Sequence, residues 1–570
     1  MLNYNVAELR MKTKIFLGCI MAASLITVSC SDLLQENPQG KLTPEGYFST
    51  QEELDMSVYS LYSKVNYSQT RTNPQYPQWQ GDDITTNPGS NKQAAAEIDR
   101  FAPVNSNKGV KDCWSDHYAI IKAANFIIQN ASKTPTDAAS LNQAIGQAKF
   151  WRAYAYFTLV RLFGDIPLTL TNENDDFTMK PSSVEQVYEQ IVADLTSDEC
   201  EGLPASYKNA PAFLNGVNVY VTKQAVEATR AAVYMAMAGW PLGKGTAYYK
   251  KAADEAKKVI EGERNGIYDI RMDENFYDVY AMSNNYNKET ILGINYSPNV
   301  DWVQDSQLTS CDQFESLGGW GDAWGEIRFW QKFPEGPRKD ATYDPQILKP
   351  NKDGNGYELH NWYDKSEDGW VIPECHPMFS VFSVNWEPST KTNIDAPYDY
   401  TLPASQNMCN GHRHRLIRYA EVKLWYAEAA ARAGESDLSL AKQCLKDVRK
   451  RGMVGDTYGT KEKTYEDDGK WQVINGVNID AMNASQLAEA ALEGHGWEVA
   501  GYWVAMVTRR ADQFRMKLLQ KTFEERQGNP EIEIVPGVKV KEGVEVSGSW
   551  NDKMVYMPYP DTDSAKNPNL

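Results

Sequence analysis

Three groups of aromatic residues stand beside short polar side chains, and together they suggest one kind of chemistry. Trp79 is followed by Asp82 and Asp83; Tyr296, Trp302, Trp320 and Trp324 lie among Asn295, Asp301 and Asp322; Trp362 and Trp370 make a third group. Sugars present flat C–H faces that stack on indole and phenol rings, while carboxylates and amides bind their hydroxyls. The preferred candidates for such contact are Trp79, Asp82, Asp83, Tyr296, Trp302, Trp320, Asp322 and Trp324. In Leu317-Gly318-Gly319-Trp320-Gly321-Asp322-Ala323-Trp324-Gly325, glycine flanks both tryptophans. Glycine prevents a stable helix and lets backbone approach a ligand closely. At least one of these two indoles is therefore expected to be exposed. Trp151 and Trp425 sit within helical patterns and are expected to pack internally.

Reactive chemistry finds little support. Gly239-Trp240-Pro241-Leu242-Gly243-Lys244-Gly245-Thr246 imitates a phosphate loop, but its glycines are too close and Gly245 stands where Ser or Thr belongs. No H-E-x-x-H or G-x-S-x-G occurs. His412 and His414 are spaced wrongly for a helical metal pair, and their neighbours Arg413 and Arg415 suggest a surface position. Asn351, Asp353, Asn355 and Gly356 begin like a calcium loop, yet Trp362 occupies the position that requires Glu. A glycosidase needs only two carboxylates, and Glu315, Asp322 and Glu326 are the suspects; the chain lacks the strand repeats of a barrel or sandwich. No catalytic residue, metal site or cofactor is therefore expected.

A net charge of −18 and a pI near 5.0 repel phosphate backbones and argue against nucleic acid. None of the eight cysteines forms a C-x-x-C pair. Apart from Cys19 and Cys30 they are expected as buried free thiols. Lys12 and Lys14 precede an apolar run, Ile15–Val28, shorter than the roughly 20 residues that span a bilayer. It fits a signal segment and ends at Ser29-Cys30, which makes Cys30 the expected lipidation site. Residues 1–29 are read as signal peptide with Met11 as the true start, and 30–40 as a flexible lipidated tether. Several acyl chains anchor a protein firmly where one would not.

The elements that must position the aromatics are mostly helical. Ser49-Thr50-Gln51-Glu52 reads as a capping box before Leu54, Val58, Leu61 and Val65. Helices are expected over 114–130 and 141–163, the latter stopped by Gly164-Asp165-Ile166-Pro167. Ser182 and Glu185 cap another. Two alanine-rich pairs follow, 222–238 with 247–261 and 415–433 with 436–451, in the manner of stacked tetratricopeptide hairpins. Residues 265–410 lose helical periodicity, with one strand expected at 290–296, and read as a loop-rich, partly β insertion facing ligand within a single domain, 41–570. Residues 455–480 and 528–550 are loop-like, the latter with hairpin character.

Four stretches, in this order, resemble the SusD/RagB family. They are Asn37-Pro38-Gln39-Gly40 with Tyr47–Leu54; Ala148–Phe157 running into Val160–Leu168; Arg418-Tyr419-Ala420-Glu421-Val422 continuing to Tyr426–Ala429; and Met557-Pro558-Tyr559-Pro560 with Asn567–Leu570. Two departures are visible. Glu493-Gly494-His495-Gly496-Trp497-Glu498-Val499-Ala500 lacks an arginine and an aspartate usual there, which predicts a lost local ion pair. Glu335-Gly336-Pro337-Arg338 replaces a more usual G-D-P-R.

The resemblance implies a mainly α, tetratricopeptide-like scaffold anchored at the outer surface of the outer membrane through lipid alone. It implies a TonB-dependent, SusC-like channel as partner and oligosaccharide or polysaccharide as ligand, captured without catalysis, with ligand loops falling in the first two aromatic groups. Peptide capture for a similar channel is the alternative, and a glycoside hydrolase the more distant one.

Overall fold

Among the described residues stand nine long helices, most of them marked in the sequence by apolar spacing. The computed structural model describes residues 47–172, 178–297, 306–351, 357–382, 411–457 and 463–570. The signal, the tether with Cys30, and Trp302 lie outside the described residues.

Helix α1 (Gln51–Thr70) is capped by Thr50, whose hydroxyl accepts from the Glu53 amide at 3.2 Å while Glu53 returns the bond. The box thus falls one residue later than the Ser49/Glu52 reading. The same shift occurs at α4 (Val184–Leu195), capped by Ser183 and Gln186 rather than Ser182 and Glu185. Ser182 is engaged elsewhere, since its backbone exchanges two hydrogen bonds with Ile166. Between them stand α2 (Lys108–Asn130) and α3 (Ala138–Phe163), which ends at Gly164 with φ +76°. There a Cβ would press on the Tyr556 ring at 3.2 Å, so the turn needs glycine for both conformation and space.

The hairpins α5 (Lys223–Ala238) with α6 (Thr246–Arg264), and α7 (Tyr419–Ala433) with α8 (Ser439–Met453), appear as the alanine pattern predicts. α6 packs on α7, and α7 on α9 (Ala484–Glu498), so helices stack in succession over Thr50–Leu570, one compact unit. Arg415–Arg418, expected as helix, is instead strand: His414–Arg418 pairs antiparallel with Thr290–Ile294. That pairing also buries His412 and His414, against the expectation of a surface. His412 Nε2 lies 2.8 Å from the Tyr280 carbonyl, and His414 Nε2 lies 2.6 Å from the Ser306 hydroxyl. Burial holds the pKa of both well below the ordinary histidine value. The five described cysteines outside the leader are free and buried, as expected.

The recognisable motifs converge on the interior. Glu498, wholly buried, meets Arg338 at 2.9 Å, Arg418 at 2.7 Å and Arg451. Glu289 and Glu421 complete a cluster of three guanidiniums and three carboxylates. Burial alone would raise the Glu498 pKa, but the arginines hold it well below the usual carboxylate range. The arginine and aspartate remain absent at Gly496 and Val499, and Glu498 between them makes ion pairs of its own. Beside it, His495 Nδ1 lies 2.6 Å from Asp512, and that carboxylate with Glu421 overcomes burial to raise the His495 pKa to about 9. The C-terminal motif closes on the end of α3, with the Tyr559 hydroxyl donating to the Asp165 carbonyl at 2.6 Å.

Candidate functional site

The first two aromatic groups do meet, but inside the protein. Ile84–Thr85 pairs antiparallel with Trp324–Gly325, which draws the Trp79–Asp83 segment against the Trp320–Trp324 loop. Trp79 has no exposed surface and packs edge-on against Tyr76 and Trp503. Trp324 is 6% exposed and lies between Phe314 and His376. Asp322 is buried and ion-paired with Lys92. Asp82 forms a bidentate pair with Arg509, both contacts 2.8 Å. Asp83 accepts from the Gly501 amide at 3.0 Å, and burial together with the neighbouring Asp82 charge pushes its pKa up to about 7. Tyr296 is buried against His414, with 3.1 Å between hydroxyl and Nδ1.

These placements correct the expectation of a stacking surface: a ring closed in by core neighbours has no face to offer a sugar. Trp320 alone among the described aromatic candidates remains half-buried. The glycines of its loop serve the chain itself, because a Cβ on Gly319 would lie 2.0 Å from the Gln313 carbonyl oxygen. The suspected hydrolytic acids are also occupied or apart. Glu326 caps the helix Ile327–Lys332 by accepting from the Phe329 amide at 2.6 Å, and Glu315 is exposed in a short turn.

The third group builds a different surface. Trp330, on the helix Ile327–Lys332, meets Trp362 edge to face at 5.3 Å, and Tyr363 stands 6.4 Å from Trp330. Asn361 holds this pair in place: its amide donates to Asp364 Oδ2 at 2.8 Å, so the chain turns sharply after the hairpin of Ile347–Pro350 and Tyr357–His360. The opposite wall is Tyr465, from the hairpin Gly455–Thr457 with Lys463–Tyr465, whose hydroxyl donates to Asp340 at 2.9 Å. The result is an open cleft of about 630 Å³.

Its polar groups are unusual. Tyr343 is 1% and Trp362 2% exposed, yet the Tyr343 hydroxyl and the Trp362 indole N–H lack hydrogen-bond partners among the described residues. Buried polar groups are nearly always paired, and both residues line the cleft. Asp344 also lines it, and burial alone raises its pKa to about 7. Burial likewise raises the Asp340 pKa, against the Tyr465 bond that lowers it. The half-buried rings of Trp330, Tyr363 and Tyr465, with two acids and an amide, can together hold a polyhydroxylated ligand.

Other clefts are less suited. One, of about 1160 Å³ beside α9, has no aromatic residue among the described residues that line it. One of about 750 Å³ has walls already ion-paired, including Asp82 with Arg509. A third lies between Trp240 and Trp550, whose indole N–H is satisfied by Asp552 at 3.1 Å.

Most of the emphasised aromatics are buried for a discernible reason. Acid-plus-tryptophan proximity along the chain does not distinguish a core from a cleft. A different signal was present in Asn361-Trp362-Tyr363-Asp364, where two adjacent aromatics are bracketed by the residues of a turn in which the Asp364 amide donates to the Asn361 carbonyl.

A stacked helical-hairpin scaffold carrying an aromatic cleft built from inserted loops defines the class of this protein. Residues 32–235 match a family model described as "Starch-binding associating with outer membrane", and residues 243–570 match the SusD family. The chain belongs to the SusD family. It is 28% identical over 451 residues to SusD-like protein P2 of Formosa agariphila, covering 76% of this chain and 80% of that one. Its fold is shared with a SusD superfamily protein from Parabacteroides distasonis, at TM-score 0.64 and 19% identity over 93% of this chain and 99% of the other. It is shared too with surface glycan-binding protein A from Bacteroides thetaiotaomicron, solved in complex with laminarihexaose, at TM-score 0.63 and 16% identity over 92% and 99%. Among the described residues no helix is long and apolar enough to cross a membrane.

Proposed function

We propose that this protein is a cell-surface lipoprotein of the outer membrane that captures oligosaccharide and delivers it, without hydrolysing it, to a TonB-dependent channel. The observation that carries the reading is the Trp330–Trp362–Tyr363 cleft on a SusD scaffold, with carboxylates and an amide beside half-buried rings. A relative of the same fold bound to laminarihexaose supports a glycan as the ligand class. Cys30, after a small residue at the end of an apolar run, supplies the lipid anchor. Stacking falls chiefly to Trp330 and Tyr363, with half-buried Trp320 as a secondary contact.

The deciding experiment is gel retardation and calorimetry of purified protein with a panel of polysaccharides and peptides. Retardation by a glycan, with no new reducing ends on prolonged incubation, is the expected result. Binding of peptide alone would replace the glycan reading, and release of reducing ends would make the protein an enzyme. Cys30→Ala should free the protein from membranes, and the channel should co-purify in mild detergent.

A further inference from the structure

Resting on that glycan reading, we propose that the Trp330–Trp362–Tyr363 cleft takes uncharged sugars and excludes glycans bearing carboxylates or sulfates. Three carboxylates, Glu335, Asp340 and Asp344, line it. Its two lysines are already committed. Lys339 lies 2.6 Å from Glu335 and 4.3 Å over the Trp330 ring. Lys463 sits 3.9 Å over the Tyr465 ring. No arginine is among the described residues lining the cleft. An anionic sugar is usually held by a guanidinium fork or a free ammonium, and neither is offered.

The placement of Asp344 adds a positive reason. Asp344 is half-buried, and none of the described residues sets a cation against it. A uronate or sulfate brought beside it would meet like charge where solvent screens poorly. A neutral sugar does the opposite: its hydroxyls can donate to Asp344 and Asp340. At longer range the net charge of −18 repels polyanions as well.

The test is native gel retardation at low salt. One set of gels holds laminarin, xyloglucan, starch or mannan; the other holds polygalacturonate, alginate or chondroitin sulfate. Retardation by at least one of the first set and none of the second is expected. Asp344→Asn, checked by its melting curve, should weaken the neutral interaction about tenfold, as expected for a lost charge-assisted hydrogen bond. Retardation by an anionic glycan would overturn this inference while leaving glycan capture standing. Retardation by neither set would overturn both. Neutral binding unchanged in both Asp344→Asn and Trp330→Ala would place the ligand elsewhere and overturn the assignment to this cleft.

Discussion

The buried cluster around Glu498 and the cleft around Trp330 are joined by a single six-residue helix, Pro337–Thr342, and they use its residues in opposite ways. Arg338 points inward to Glu498, in a cluster where three guanidiniums meet three carboxylates. Asp340, two residues on, reaches the cleft wall and bonds Tyr465, and Asp344 follows without an opposing charge. One region sets opposite charges against each other; the other leaves Asp344 without an opposing charge. Satisfied networks fix a fold, whereas underused groups in a concave site are what a ligand can complete. The comparison suggests that the sequence features easiest to recognise, Arg338, Arg418, Glu421 and Glu498, serve the scaffold.

The sharpest way to break this comparison is Glu498→Gln. It would leave Arg338, Arg418 and Arg451 buried with one carboxylate too few. Breaking a buried pair from one side costs about 3–5 kcal/mol, and one carboxylate here serves three arginines. The denaturant midpoint should fall accordingly, while glycan affinity of the folded fraction stays within about twofold. An unchanged midpoint would mean the cluster is not what holds these elements together.

The reverse pattern is expected at the cleft. Trp330→Ala removes a half-buried ring whose edge faces Trp362 and whose face meets Lys339. Loss of an aromatic anchor typically costs about 2 kcal/mol or more in binding, about thirtyfold in affinity. Calorimetry should show that loss with a smaller change in melting than Glu498→Gln produces. If stability falls and affinity does not, Trp330 belongs to the core. Tyr465→Phe is milder, removing one hydroxyl from Asp340 and leaving the ring. About 1 kcal/mol is expected from one partly exposed hydrogen bond, read as a few-fold change in affinity.

Legibility followed the same division. Helices could be read because apolar periodicity and capping chemistry are local, and errors there were single-residue shifts such as Thr50 for Ser49. The strand His414–Arg418 could not, since its partner Thr290–Ile294 is remote in sequence and only that pairing buries the two histidines. The cleft was least legible. Trp330, Trp362 and Tyr465 come from three separated segments, and whether an indole faces a cleft or a core depends on what packs behind it. Trp79 beside two aspartates had the right composition, but Trp503 and Tyr76 close over it.

The smallest expected effect concerns pH, and it separates the two regions by sign. An ordinary aspartate ionises near 3.9, whereas burial raises Asp344 to about 7 in the folded protein. Between these values the folded state holds a proton that the unfolded state has released. Stability contributed through Asp344 therefore falls as pH rises from about 4 to about 7, then levels off. Glu498 behaves oppositely: its pKa is held down, so its contribution is present above the ordinary glutamate range and is lost only in acid. Asp83, also raised to about 7, adds to the slope of the parent protein, so the informative quantity is a difference. The melting temperature of Asp344→Asn minus that of the parent should be larger at about pH 8 than at about pH 5, because only the parent pays for a buried charge at the higher value. A difference that does not change with pH would mean that Asp344 is solvated or paired in solution, and the contrast between a self-satisfied interior and an unsatisfied cleft would lose its electrostatic half.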